Sequence, residues 1–346
     1  FGLHHGRMPR SLAQLAVRMF DNGDINTLLC TSTLLSGVNT KSANVFVYDQ
    51  KINNKDLDFF DFSNIKGRVG RMMRYFVGNV YIYQPQPEPV ENIVHIDALS
   101  DINGSSEYLI TNVDDEDLDD AGLQRREDIF KRINVDRDVI RRHLSLGFDT
   151  LESLVGLIEQ RVQGREQDYF WSGLPDKEKR IALAALYVDT PGLTSKGVYT
   201  QKQIAWAWDM LFRCRTLSKF LRWFVRTFEP NDENAGVERA FQFLSCCEFD
   251  YPRLLFAAAE IIDNMYPDSH LDWSYFLSAM ENWNRPKWMK RLDEFGVPIP
   301  LAEKYMGRIG PDASVDDALA FFRRLKDEES GDVGEGDWMF LNLALE

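Results

Sequence analysis

Two arginines set between glycines form the most chemically specific pattern in the chain. Asn64 opens the octet N-I-K-G-R-V-G-R, in which Gly67, Arg68, Gly70 and Arg71 make a G-R-x-G-R arrangement. A guanidinium is planar, always charged and well matched to phosphate oxygens, and glycine lets another surface approach the backbone closely. Such a pair, predicted at the start of a helix, suits neutralisation of charge on a transferring phosphoryl group. A solvated basic helix start is the alternative interpretation.

The sequence around this octet alternates strands with helices. Apolar residues at helical spacing lie between Pro9 and Asn22 and predict an amphipathic helix. Short apolar segments at 27–30, 44–49 and 77–83 read as buried strands. This alternation predicts a parallel α/β sheet. Ligand-binding loops of such a sheet are expected at the carboxyl ends of its strands.

Three segments, in this order, resemble the second RecA-like lobe of superfamily 2 helicases in their Ski-like DExH branch. The H-H-G at 4–6 is similar to the H-H-x-G segment of that family, T-S-T-L-L-S-G-V-N at 31–39 to its motif V, and the octet at 64–71 to its motif VI. The sequence D-F-S-N-I-K-G-R-V-G-R-M is also similar to bacterial antiphage-defence helicases of Hachiman type. Asn64 stands where the family usually has glutamine, so the amide is kept on a side chain one methylene shorter.

The resemblance implies roles for the matched residues. The arginine fingers would be Arg68 and Arg71. The residues on the ATP side of the lobe would be Gly37, Asn39, Asn64 and Gly67. Contacts with the nucleic-acid backbone would come from His5, Gly6, Thr31 and Thr33. The family also needs a first RecA-like lobe with a phosphate-binding lysine and magnesium carboxylates, and the chain contains no G-x-x-x-x-G-K-[ST].

Composition narrows the class of protein. A chain of 346 residues with 44% hydrophobic content can bury the cores of two or three domains. Its four cysteines show no C-x-x-C spacing, which favours a reducing, cytoplasmic location. The five histidines form no metal-ligand pattern, so no metal site is predicted in the chain. No apolar run approaches the length of a membrane span, so no membrane partner is expected.

Charge is distributed unevenly along the chain. The formal net charge is −14, yet residues 1–90 hold 10 basic and 7 acidic residues and carry +3, which leaves −17 on the remainder. The acidic remainder argues against extensive nonspecific coating of duplexes. A grip on a few phosphates of a single strand needs only amides, hydroxyls and local cations.

Proline and acidic runs set the predicted domain boundaries. The segment Q-P-Q-P-E-P at 84–89 cannot continue a strand or a helix. It closes a RecA-like α/β lobe with a parallel sheet, incomplete at its N-terminus, over 1–90. A mostly α-helical region follows. Its predicted parts are an acidic connector at 91–123, helical accessory domains at 124–330 and a C-terminal tail at 331–346.

A helix predicted over 200–228 carries a second cluster of chemical interest. Four cations at spacings of 4, 3 and 4 residues are expected to share one face: Arg215, Lys219, Arg222 and Arg226. Seven aromatic residues surround them: Trp206, Trp208, Phe212, Phe220, Trp223, Phe224 and Phe228. Cations beside aromatic rings could track a single strand and stack its bases. The alternative is a core helix with a solvated basic face, since aromatics at helical spacing are usually buried.

Two functions from different classes follow from these patterns. The first is the C-terminal portion of an ATP-dependent helicase or translocase that acts on single-stranded nucleic acid, DNA or RNA. ATP and Mg²⁺ would be cofactors of the complete protein, and its partners would be the missing N-terminal lobe and a defence-effector protein. We expect no ATP hydrolysis by this portion alone. The second is a helical protein-interaction module whose motor lobe is vestigial or only senses nucleotide.

Overall fold

The chain folds into two units that are each mainly helical. The computed structural model describes residues 1–6, 8–32, 42–49, 51–52, 55–67, 69, 77–88, 106–327 and 333–345. One unit comprises Phe1–Val94 and Lys287–Glu346, and the other comprises His95–Pro286. The strands of the described residues all lie in the first unit. The prediction of a mostly helical region is confirmed.

Parallel strand pairs form the first part of the first unit. Strand β1 (Gly2–His4) pairs in parallel with β2 (Leu28–Cys30). Strand β3 (Asn44–Val47) pairs in parallel with the strand Asn79–Ile82, which is β6 in chain order. The strands expected at 27–30, 44–49 and 77–83 are thus present, although the described residues show separate two-stranded sheets. The expectation that these three strands are buried was wrong, because all of their residues are half-buried or exposed. A short antiparallel pair lies between them in the sequence: β4 (Lys51–Ile52) and β5 (Lys55–Asp56).

Helix α1 (Arg10–Asn22) covers one side of the first strand pair. Its buried stripe includes Leu15 and Val17. The helix ends because Gly23 adopts a left-handed φ of 90°, from which its amide reaches the last carbonyls of the helix. A residue with a Cβ adopts that conformation at a cost. Because α1 begins soon after β1 ends, the H-H-G segment at 4–6 lies before the amino end of this helix.

Helix α2 (Phe59–Lys66) packs on the second strand pair. The carboxylate of Asp58 accepts a hydrogen bond of 2.7 Å from the amide of Asp61 and so starts the helix. Its buried side chains form a small core with the valines of the strands: Leu57, Phe62, Ile65, Val45, Val47 and Val80. The sequence predicted that the octet at 64–71 lies at the start of a helix. This was wrong for its first residues, which lie at the end of α2. Asn64 lies in the last turn of α2, because the Asp58 cap begins the helix earlier.

Four helices from the end of the chain complete the first unit: α13 (Lys287–Glu294), α14 (Ile299–Ile309), α15 (Val315–Asp327) and α16 (Glu335–Ala344). They share a core that includes Trp288, Met289 and Phe322. The indole nitrogen of Trp288 donates to the carbonyl oxygen of Gly310 at 3.0 Å, which satisfies its polar group inside that core. The side-chain amide of Gln14 on α1 donates to the carbonyl oxygen of Glu294 at 2.7 Å.

The second unit is a helical assembly with an aromatic core. Fully buried rings of Trp208, Tyr251 and Phe276 meet edge to face, with centroids of Trp208 and Tyr251 5.2 Å apart. Its α-helices are α3 (Glu107–Asn112), α4 (Asp120–Lys131), α5 (Arg137–His143), α6 (Phe148–Val162), α7 (Lys177–Asp189), α8 (Gln201–Arg213), α9 (Leu217–Phe228), α10 (Glu233–Ser245), α11 (Tyr251–Met265) and α12 (Ser274–Glu281).

The segment predicted as one helix over 200–228 consists of two. Helix α8 ends at Arg213, and Cys214 is extended with φ −72° and ψ 119°. Helix α9 begins at Leu217, after the Thr216 side chain accepts a hydrogen bond from the amide of Lys219 at 3.3 Å. A threonine in this position caps a new helix, so the expectation of one continuous helix was wrong.

Candidate nucleic-acid interface

The carboxyl ends of β1 and β2 lie side by side. His4 is in register with Cys30, and the amide of Thr31 donates to the carbonyl oxygen of His4 at 3.1 Å. The structure therefore brings His5 and Gly6, which follow β1, next to Thr31, which follows β2. All three are exposed. The amides of His5 and Gly6 and the Thr31 hydroxyl are the kinds of group that contact phosphates without reading sequence.

The two adjacent histidines have different environments. His4 is buried under α1 with 8% of its surface exposed, and burial lowers the pKa of its imidazole. A buried histidine with a lowered pKa is held in its neutral form. His5 is exposed, and its carbonyl oxygen accepts a hydrogen bond from the amide of Met8 at 3.1 Å, which turns the chain toward α1. Only His5 of the pair is placed to contact a ligand at this edge.

The carboxyl end of α2 carries the first residues of the arginine octet. Asn64 is exposed in the last turn, and Gly67 is exposed directly after Lys66, the final helical residue. The amide of Gly67 donates to the carbonyl oxygen of Ser63 at 2.9 Å. Five predicted site residues lie outside the described part of the chain: Thr33, Gly37, Asn39, Arg68 and Arg71.

Three of the four predicted cations share the exposed face of α9. Lys219, Arg222 and Arg226 are exposed there, and no hydrogen bond or ion pair joins their side chains to other described residues. Arg215 is also exposed, but it lies in the connection between α8 and α9, before the cap at Thr216. The expectation that all four cations share one helix face was therefore wrong for Arg215. The other three form an unpaired basic row.

Aromatic rings adjoin the basic row at the surface. Trp223 on α9 meets Trp206 on α8 edge to face, with ring centroids 5.2 Å apart, and Trp206 keeps 49% of its surface exposed. Phe220 and Phe224 are fully buried and belong to the core of the second unit. The sequence alone did not distinguish the surface rings from the buried rings, because the aromatic spacing is similar in both groups. The break at Cys214 places Trp206 on a different helix from the cations.

Two further properties concern metal ions and membranes. Over the described ranges, no group of three or more histidine, cysteine, aspartate or glutamate side chains is arranged to hold a metal ion. Among the same residues, no helix has the length and apolar character that crossing a membrane requires.

Some known proteins resemble nearly the whole chain, and others resemble a short stretch of it. The chain is 25% identical to Anti-bacteriophage protein B of Escherichia coli over 382 aligned positions, which cover 99% of the chain and 50% of that protein. A stretch of 77 positions is 42% identical to a DExH-box ATP-dependent RNA helicase of Arabidopsis thaliana and 43% identical to an RQC trigger complex helicase of Saccharomyces cerevisiae. The resemblance to Ski-like DExH helicases is confirmed. No protein-family model matches the chain.

The matches cover different shares of these relatives. The chain spans about half the length of the anti-bacteriophage protein. Of each of the two longer helicases it matches 4%, in a segment that makes up 20% of the chain. The likeness to these helicases is thus local, whereas the likeness to the anti-bacteriophage protein runs through both units. A helicase-related role is what these matches support.

Proposed function

We propose that the chain supplies the second motor lobe and the helical accessory region of an ATP-dependent Ski-like helicase or translocase. The observation that carries this proposal is the match along 99% of the chain to an anti-bacteriophage protein, together with the local match to DExH helicases. In this assignment the parallel strand pairs and helices α1 and α2 are parts of a RecA-like lobe. The complete protein would work in antiviral defence.

The carboxyl end of α2 is assigned to the ATP side of the lobe. The exposure of Asn64 and Gly67 suits contact with a nucleotide held by another lobe. ATP would supply the phosphoryl group that is transferred. Arg68 and Arg71, which follow in the sequence, would act as arginine fingers by placing guanidinium charge beside it. Gly37 and Asn39 would lie on the ribose and phosphate side.

Magnesium is assigned to the partner lobe. Magnesium takes carboxylate and phosphate oxygens in octahedral geometry, and the described residues offer no cluster of carboxylates of this kind. The described residues therefore do not fit a magnesium site. The complete protein would bind the ion through the N-terminal RecA-like lobe, which is the first partner of this chain.

The exposed edge at β1 and β2 is assigned to a single strand of nucleic acid. His5, Gly6 and Thr31 would hold successive phosphates through amides and a hydroxyl, and Thr33 would extend this row. In the second unit, the basic row of Lys219, Arg222 and Arg226 would contact phosphates, with Arg215 as an outer contact. Trp223 and Trp206 would offer ring faces to unpaired bases.

The experiment that tests this function compares the complete protein with the chain alone. The complete protein should hydrolyse ATP faster when single-stranded nucleic acid is added, and a duplex with a single-stranded overhang should be unwound. DNA and RNA versions of the same strand identify the substrate. A complete protein that hydrolyses no ATP with either strand, yet binds a defence-effector protein, would favour an interaction module instead.

A further inference from the structure

A cavity in the first unit is lined by polar atoms that have no partner. It has a volume of about 600 Å³ and lies between the end of β1, one side of α1 and the end of α13. This volume falls within the range of small-molecule sites in proteins. The residues that line it are His4, Arg10, Ala13, Gln14, Val17, Arg18 and Glu294.

Two of the residues that line this cavity carry buried side-chain atoms without a hydrogen bond to the described residues. These atoms are Nδ1 of His4 and Oε1 of Gln14. His4 is 8% exposed. Buried polar atoms nearly always have a partner, so the two together indicate that a bound molecule completes their hydrogen bonds.

The orientation of Gln14 specifies what that molecule must offer. Its amide nitrogen donates to the carbonyl oxygen of Glu294 at 2.7 Å, which leaves its oxygen as the unpartnered atom. An amide oxygen only accepts, so the bound molecule must present an N–H or O–H group. The Nδ1 atom of His4 is either donor or acceptor, as the tautomer requires.

Charge and apolar surface define the rest of the ligand. Arg10 pairs with Glu294 at 2.6 Å, whereas Arg18 has no ion pair with another described residue. The unpaired guanidinium favours an anionic group, and phosphate is its usual partner. Ala13 and Val17 contribute aliphatic surface between these polar groups, against which a flat ring can lie. A donor edge, a flat ring and a phosphate occur together in a nucleotide.

We propose that this cavity binds a nucleotide, with the base edge at Gln14 and His4 and the phosphate at Arg18. The site shares no residue with the ATP side assigned to the end of α2. It does not depend on the helicase assignment, since it rests only on the groups that line the cavity. The nucleotide is either a free mononucleotide or the terminal nucleotide of a strand.

Calorimetric titration of the 346-residue chain tests this site. AMP and the three other common ribonucleoside monophosphates are titrated beside inorganic phosphate. At least one nucleotide should bind in a 1:1 ratio, more than tenfold tighter than phosphate. For AMP, removal of the exocyclic amine in the purine analogue should weaken binding about tenfold, because the buried amide oxygen of Gln14 would lose its donor. No nucleotide binding at 1 mM would overturn the proposal.

Two variants and one control locate the binding. Gln14→Leu should abolish the preference for the amino group, and Arg18→Ala should weaken the nucleotide to the level of the nucleoside. Arg324→Ala removes an exposed cation on α15 and should change nothing. Binding that is unaffected in both Gln14→Leu and Arg18→Ala would place the nucleotide elsewhere and overturn the assignment. Because Arg18 is half-buried and unpaired, its variant keeps the test valid if Gln14→Leu fails to fold.

A competition experiment identifies the source of the nucleotide. The His4 imidazole signals, followed by NMR, should shift on addition of the bound mononucleotide. A ten-nucleotide strand that produces the same shift and displaces the mononucleotide identifies a strand end as the ligand. A strand that leaves the His4 signals unchanged identifies the free nucleotide. No shift of His4 with a nucleotide that binds would contradict the site.

Discussion

The amide nitrogen of Thr31 and the carbonyl oxygen of His4 are joined by a hydrogen bond of 3.1 Å at the carboxyl ends of two parallel strands. This bond holds two segments that are 27 residues apart in the sequence at one exposed edge. Because the edge presents His5, Gly6 and Thr31 together, the amides of His5 and Gly6 and the Thr31 hydroxyl form a small surface suited to phosphates. We propose that a single strand of nucleic acid binds at this edge, beside Thr31 and His4.

The chain alone should not hydrolyse ATP. It contains no phosphate-binding loop, and its described residues hold no carboxylate cluster for magnesium. These groups provide most of the positioning in phosphoryl transfer. Phosphate release by the purified chain should stay at the buffer level, with and without a single strand. Release that rises when a strand is added would show that the catalytic groups lie within these 346 residues.

The basic row of α9 should contribute to strand binding. Lys219→Glu with Arg222→Glu should weaken the complex and reduce the slope of log affinity against log salt by roughly one unit per lost phosphate contact. Thermal stability should stay nearly constant, since exposed charges contribute little to folding. Fluorescence anisotropy with a labelled strand at several salt concentrations gives both quantities. The matched control reverses Arg323 and Arg324, two exposed cations of α15.

An unchanged salt slope in the α9 variant would contradict this role. The basic row would then be a solvated face of a core helix. A loss of affinity equal to that of the Arg323 and Arg324 control would also contradict it, because the effect would then follow from total charge. Arg215→Glu should have a smaller effect, because Arg215 lies before the cap of α9.

The helix cap at Thr216 should contribute measurably to the stability of the fold. Its side chain accepts a hydrogen bond from the amide of Lys219 at 3.3 Å and allows α9 to begin in a new direction. Thr216→Ala should lower the free energy of unfolding by about 0.5–2 kcal/mol. Urea titration followed by circular dichroism measures this change. Thr227→Ala, near the other end of α9, is the control, and an equal loss in both variants would reject the capping role.

Asp293 should make the stability of the first unit depend on pH. Burial raises the pKa of its carboxyl, against the opposing effect of hydrogen bonds from Ser11 and the charge of Arg10. A raised folded pKa means that protonation favours the fold. The contribution is complete below the unfolded pKa of about 3.9 and is lost as pH rises through the folded pKa.

The variant Asp293→Asn isolates this contribution because it resembles the protonated form. The free energy of unfolding of the native chain, relative to the variant, should fall as pH is raised from about 4 toward neutral. Urea unfolding at a series of pH values measures this difference. Asp316→Asn changes an exposed carboxyl of α15 and is the control. Curves for native chain and Asp293→Asn that run parallel over this range would contradict the assignment.

Local sequence patterns predicted the elements that depend on neighbours in the chain. Short apolar segments located β2, β3 and β6, and helical spacing located α1. The two helix boundaries that the sequence predicted wrongly both depend on capping residues. Asp58 begins α2 early enough to put Asn64 in its last turn, and Thr216 divides the segment 200–228. Both capping residues are visible in the sequence, but helical spacing alone does not show which of two competing boundaries is used.

Long-range contacts could not be predicted from the sequence. The bond from Gln14 to the carbonyl of Glu294 joins residues 280 positions apart. No periodicity encodes such a contact, since it depends on how α13 packs against α1. The polar cavity beside these residues was missed for this reason. The separation of surface Trp206 from buried Phe220 likewise depends on tertiary packing.

The measurement that tests the central claim most directly is strand-stimulated ATP hydrolysis by the complete protein with Arg71→Ala. An arginine finger stabilises charge in the transition state, so its loss should reduce turnover by about 10³–10⁵-fold while nucleotide affinity changes little. Arg68→Ala should have an equal or smaller effect, and Arg324→Ala serves as the control for removal of an exposed arginine. The account predicts turnover close to background for Arg71→Ala. Near-normal turnover in that variant would contradict the assignment of this chain as the lobe that supplies the arginine fingers.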